Sequence, residues 1–114
     1  MHVKAGKWEL RATHQQEGVQ RTSDVKTLCI EEAGMTPQAF INDPSCTVSD
    51  ATSDERSMSW TVVCENRGGR MSGDAQFTSA GTTVDGVMTM RIEVAGGQGE
   101  LRRIWKGRWL GACD

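Results

Sequence analysis

The sequence predicts a mainly β domain: an antiparallel meander that curls into a barrel or a half-open sheet and carries one short helix. Three observations point there. Period-two alternation of apolar and polar residues recurs in short segments along the chain, the pattern of strands with one buried and one wet face. Glycine outnumbers proline 13 to 2, which suits many turns and bulges rather than a low-complexity linker. Four widely spaced cysteines suit bridges that staple distant strands.

Trp8, Leu10 and Ala12 alternate with Lys7, Glu9, Arg11 and Thr13 as a first strand. The polar stretch His14 to Gly18 reads as a loop. Gln20 to Ile30 reads as a second strand, weighted by Thr22, Val25, Thr27, Leu28 and Ile30. Thr36-Pro37 ahead of Gln38, Ala39, Phe40 and Ile41 reads as an N-cap and a proline at the first helical position. One or two helical turns follow, stopped before Pro44 and pinned to the sheet by Phe40 and Ile41.

From Cys46 onward the pattern is all β. Cys46 to Asp50 is followed by a turn of Thr52, Ser53, Asp54 and Glu55, then by Met58 to Glu65 with Met58, Trp60, Val62 and Cys64 on one face. Asn66-Arg67-Gly68-Gly69 turns the chain into a strand with Met71, Gly73, Ala75 and Phe77 on one side. After Ala80-Gly81, one stripe carries Val84, Gly86, Met88, Met90, Ile92 and Val94, and the other is dominated by Thr83, Asp85, Thr89, Arg91 and Glu93. Gly96-Gly97-Gln98-Gly99 leads into a last strand, Glu100 to Leu110.

At 114 residues the chain holds one domain, 1–114, because two cores would each be too small. Its formal net charge of -2 gives no global pull toward nucleic acid or an anionic membrane. No segment approaches the ~20 apolar residues of a membrane span. Four cysteines in so short a chain point to an oxidising compartment, periplasmic or secreted. Met1 to Gly6 holds no apolar run of signal-peptide length, so the chain is expected to be a mature form with an added methionine, and His2 to lie near a tag scar or a frayed terminus.

Four cysteines allow three connectivities. Residues that face each other across an antiparallel pair have a constant index sum, so Cys46 opposite Cys64 centres a turn on residue 55, inside the polar Thr52 to Arg56 stretch. Cys29 is left to bond Cys113. No two cysteines stand as C-x-x-C, which removes the zinc and thioredoxin patterns.

Little else in the sequence carries chemistry. His2 and His14 have no visible partner, and Glu31-Glu32 and Asp54-Glu55 are adjacent pairs whose side chains diverge on extended backbone. Asp50, Asp54 and Glu55 offer oxygens from one loop, but without the glycine and alternation of an EF-hand. No nucleophile, base and orienting group converge, so no enzyme and no cofactor is expected. Thioether sulfur suits copper(I), yet Met88 and Met90 lie on an inward stripe, where methionine fills an irregular core or lines an apolar cavity. Trp60, Phe77, Met88 and Met90 are accordingly the candidate ligand-lining residues, and an interior space of ~300 Å³ among them is the mark of a ligand site. Arg102, Arg103, Lys106 and Arg108, interleaved with Trp105 and Trp109, form the basic and aromatic stretch, with Arg102, Trp105, Lys106, Arg108 and Trp109 a candidate interaction surface. On a strand Trp105 and Trp109 share a face with Leu101 and Arg103, opposite Arg102, Lys106 and Arg108.

Gly6-Lys7-Trp8-Glu9, Cys29 followed by Thr36-Pro37, Ser59-Trp60-Thr61-Val62-Val63-Cys64, Met71-Ser72-Gly73, Gly86-Val87-Met88-Thr89-Met90 and Arg108-Trp109-Leu110-Gly111-Ala112-Cys113 follow one another along nearly the whole chain. In this order, and with four cysteines, the chain resembles a family of small bacterial periplasmic proteins classed as a domain of unknown function. The resemblance implies export, two disulfides and a β-rich fold, with no activity to carry over. Members of that family carry a Met- and Pro-rich loop after the first strand, where this chain has His14-Gln15-Gln16-Glu17-Gly18, so a partner bound there is expected to differ. The expected role is a non-enzymatic binding or accessory domain for a lipophilic small molecule or envelope protein. The alternative is an interaction module that homodimerises or adds a strand through its last strand or a sheet edge.

Overall fold

The computed structural model describes residues 1–16, 19–32, 34–41 and 43–113, with backbone alone for 19–23. Seven strands follow in chain order: β1 (Gly6–Gln16), β2 (Val19–Ile30), β3 (Cys46–Ser53), β4 (Ser57–Asn66), β5 (Gly69–Ser79), β6 (Thr83–Val94) and β7 (Gly97–Gly111). They form one antiparallel sheet in the order β2-β1-β7-β6-β5-β4-β3. The sheet curls but does not close into a barrel, so the half-open form of the expected meander is the one adopted. Its edges, β2 and β3, are consecutive in the chain. The segment between them must therefore cross from one edge to the other.

That crossing takes the chain over the concave face. In place of the expected helical turns it holds a single 3-10 turn, Pro37–Ala39, entered from Thr36 in extended conformation with no side-chain capping bond. Pro37 fixes its own φ, and Pro44 lies a few residues on, so a longer helix has no room. Phe40, at the end of the turn, drops between the strands: its ring centroid lies 4.0 Å from Phe77, 5.2 Å from Trp105 and 6.1 Å from Trp60. Ile41 packs beside it against the core.

Strand boundaries run wider than the alternation alone suggests. β1 continues through His14 to Gln16, and β7 begins at Gly97 after a turn at Ala95 and Gly96, where φ of +95° favours glycine. Glu17 and Gly18, the rest of the expected loop, lie outside the described residues. The turn between β3 and β4 is built by Asp54. Its Oδ1 accepts from the N–H of Arg56 (2.8 Å), the N–H of Ser57 (2.8 Å) and the hydroxyl of Ser57 (3.0 Å). These bonds, the Arg56 N–H first, hold the carboxyl below its ordinary range.

Inward residues alternate as the sequence predicts: Trp8, Leu10 and Ala12; Met58, Trp60, Val62 and Cys64; Ala75 and Phe77; Val84, Met88 and Met90; and Trp105 are all buried. The N-terminal residues correct one expectation. Instead of fraying, they strap the lower end of the sheet, where the β3–β4 and β5–β6 turns lie. The His2 N–H donates to the Glu55 carbonyl (2.9 Å), the Lys4 N–H to the Gly81 carbonyl (2.9 Å), and the Met35 N–H to the Met1 carbonyl (3.0 Å). Met1, Val3 and Met35 are thereby buried with the core.

Gly86 shows how tightly the aromatic layer is set. It faces Phe77 on one side and Trp105 on the other, and a Cβ at Gly86 would overlap the Phe77 ring. Gly86→Ala is expected to cost about 1–3 kcal/mol by forcing Phe77 off its rotamer against Phe40 and Trp60. A urea melt reads this directly. An unchanged midpoint would mean that the ring has slack.

Candidate functional site

Both disulfides form as the register argument requires. Cys46 and Cys64 are direct cross-strand partners, with Cα atoms 3.9 Å apart, and Cys29 bonds Cys113 with Cα atoms 5.9 Å apart. Cys29 and Cys113 do not lie on neighbouring strands. β1 runs between them, Lys7 pairing with Cys29 on one side and with Gly111 on the other, so the bridge clasps three strands at the lower end.

The four candidate ligand-lining residues divide between two layers of one core. Trp60 and Phe77 stack 5.0 Å apart, with planes 8° from parallel, and Phe40 covers them. Met88 is fully buried and accepts a hydrogen bond on its sulfur from the Trp105 Nε1–H at 3.3 Å. Met90 is buried one step higher. These side chains stand in the core beneath Phe40, which occupies the space above Trp60 and Phe77.

The basic stretch on β7 splits across the sheet as strand alternation dictates. Trp105 is buried, and Trp109 lies half-buried with its Nε1–H donating to the Ala5 carbonyl (3.1 Å) and the Lys4 ammonium 3.8 Å from its ring centroid. Arg102, Lys106 and Arg108 are exposed on the outer face. Lys106 pairs with Asp85, and Arg108 reaches Glu9 at 3.2 Å, which offsets much of the outer positive charge. Arg102, Trp105, Lys106, Arg108 and Trp109 are therefore two surfaces back to back.

Above the core, the concave face continues as an open floor. Met71 on β5, Ile92 on β6 and Leu101 on β7 are only partly buried, and Val94 at the end of the same stripe is 50% exposed. Beside this floor stands a cluster that the sequence reading did not assemble. β1 pairs with both β2 and β7, which sets His14 opposite Arg103 and aligns Asp24 and Lys26 with Ala12 and Leu10 on the inward face. The Arg103 guanidinium carbon lies 5.9 Å from the Trp105 ring centroid and the Lys26 ammonium 5.8 Å from it. Arg103 Nε is buried with no hydrogen-bond partner among the described residues. Trp60 Nε1 is the other such atom, so both unpaired buried side-chain donors found among those residues belong to the concave face.

Partial desolvation opposes positive charge in this cluster, at half-buried Arg103 and His14 and at the more exposed Lys26. Desolvation lowers the pKa of His14, and the neighbouring Arg103 charge lowers it further, while Asp24 pulls the other way. Lys26 and Arg103 are likewise lowered by desolvation and raised in part by Asp24. Among the described residues, one carboxylate thus faces three basic groups. The signal that pointed to this site was a charged residue, Arg103, on a stripe otherwise made of Leu101, Trp105 and Trp109.

The profile of a protein family described as a protein of unknown function, DUF3617, matches residues 3–113. The chain belongs to that family. The DUF3617 match spans all seven strands and all four cysteines, in agreement with the resemblance carried by the motifs above. No curated protein and no solved structure matches the chain.

Proposed function

We propose that this DUF3617 chain is a non-enzymatic binding or accessory domain of an oxidising extracytoplasmic compartment, holding a lipophilic ligand or an apolar part of an envelope component on the upper concave face. The observation that carries this reading is the open floor of Met71, Ile92, Leu101 and Val94. Here an inward apolar stripe runs on past the point where Phe40 and the crossing segment cover it. The two disulfides are compatible with such a compartment. Titration with the apolar dye N-phenyl-1-naphthylamine tests the reading. Saturable binding is expected, with affinity falling about tenfold in Val94→Asp at an unchanged melting temperature. No saturable binding, or equal binding to the variant, would overturn it.

A second reading rests on the two free edges. β2 and β3 each leave one row of backbone donors and acceptors unmatched within the sheet, which supports homodimerisation or strand addition from a partner. A mass that doubles with concentration in light scattering supports this reading; a strict monomer counts against it.

A further inference from the structure

We propose that Arg103 and Lys26, flanking Trp105 at the border of the open apolar floor, form with His14 opposite Arg103 an anion subsite, and that the ligand of this face is a single-chain anionic amphiphile whose acid head sits among them. The proposal rests on the concave-face reading and names the class of ligand.

Three features support it together. The first is charge complementarity. Three basic side chains come from three adjacent strands, with Asp24 the one carboxylate aligned with them among the described residues, whereas on the outer face Arg108 and Lys106 have Glu9 and Asp85 at contact distance. Arg103, which is partly buried, and Lys26 carry the charge, and an anion relieves it, while His14, held toward its neutral form, offers a hydrogen-bond donor beside them. The second is an unmet donor. Arg103 Nε is shielded from solvent and bonds to nothing among the described residues, and a guanidinium edge matches the paired oxygens of a carboxylate or phosphate. The third is continuity with apolar surface. Leu101 and Arg103 are successive inward residues of β7, facing Met90 and Met88 of β6, and the next pairs along the same stripe are Ile92 with Gly99 and Val94 with Gly97, so a head at Arg103 leaves its chain directed over Leu101, Ile92 and Val94. A small free anion would use the first two features and leave the third idle. An uncharged lipid would use only the third.

Calorimetric titration of the disulfide-intact protein with decanoate, decanol, decyltrimethylammonium and inorganic phosphate, each below its micellar concentration where one exists, separates the cases. Decanoate is expected to bind at least about tenfold more tightly than decanol, with the cation weaker still and phosphate alone negligible. Arg103→Gln and Lys26→Gln are expected each to remove most of the preference for decanoate over decanol while leaving decanol binding in place. Arg103→Lys, which keeps the charge, should retain part of that preference, and the decanol arm reports that each variant is still folded at this face. Equal binding of decanoate and decanol, or a preference unaffected by Arg103→Gln, overturns the subsite while the apolar-floor reading stands. Phosphate binding as tightly as decanoate overturns the amphiphile. Failure of all the chain-bearing probes removes both the subsite and the reading beneath it.

Discussion

Replacing Cys29 and Cys113 together by alanine is expected to lower the stability of the folded protein by about 4.5 kcal/mol, the larger of the two disulfide effects. The bridge closes a loop with a sequence separation of 84, against 18 for Cys46–Cys64, and loop-closure entropy rises with the logarithm of that length. The shorter bridge is therefore expected to contribute about 3 kcal/mol. Against a net stability typical of small domains, roughly 5–15 kcal/mol, losing the long bridge leaves a marginal protein. The native state supplies a second reason for this ordering. Cys46–Cys64 duplicates a contact that the β3–β4 pairing already makes, whereas Cys29–Cys113 joins β2 to the chain end beyond β7 across β1. Urea unfolding of the two double variants checks both values. A larger loss from Cys46 and Cys64 would mean that native-state contacts at the β3 edge, rather than chain closure, set the contribution.

Much of the strand pattern was legible because its cause is local. Side chains on a strand alternate by geometry, so Met58, Trp60, Val62 and Cys64 announce their common face wherever the strand ends up. The Cys46–Cys64 pairing was legible for a related reason: an antiparallel hairpin has a fixed index sum, and the polar turn marks its centre. What the sequence could not display is the pairing of β1 with β7, a contact between the two ends of the chain. That pairing decides that β2 and β3 become edges, that residues 31–45 must cross the mouth, and that the sheet stays half open. The one short helix takes the lower of its expected lengths, a single 3-10 turn, on the same account. Pro37 starts a turn, but a segment that must reach the far edge within a few residues has no length for two helical turns.

The same long-range pairing hid the basic rim. His14, Lys26 and Arg103 lie far apart in the sequence and meet only because β1 sits between β2 and β7. Along the sequence alone, Arg103 reads as one more charge in the dense run of Arg102, Arg103, Trp105, Lys106, Arg108 and Trp109. Strand alternation then divides that run between a core layer and an ion-paired outer face.

Phe40→Ala is expected to cost about 3–5 kcal/mol, the cost usual for removing a buried aromatic ring, although Phe40 lies on a connection rather than a strand. Its ring is 4% exposed and touches Phe77, Trp105 and Trp60, which come from three different strands, so it is the side chain that converts an open trough into a packed core. Removing it leaves a space walled by those three rings. A space of that kind stays largely dry and takes up small apolar molecules. The variant is therefore expected to lose near-ultraviolet circular dichroism from the tryptophans, to unfold at lower urea, and to regain part of its stability in benzene-saturated buffer by mass action. Phe40→Leu refills part of the volume and should fall between the two. A loss below about 1 kcal/mol in Phe40→Ala, with no recovery in benzene, would mean that the sheet packs on itself without the plug. The crossing segment would then be a cover rather than part of the core.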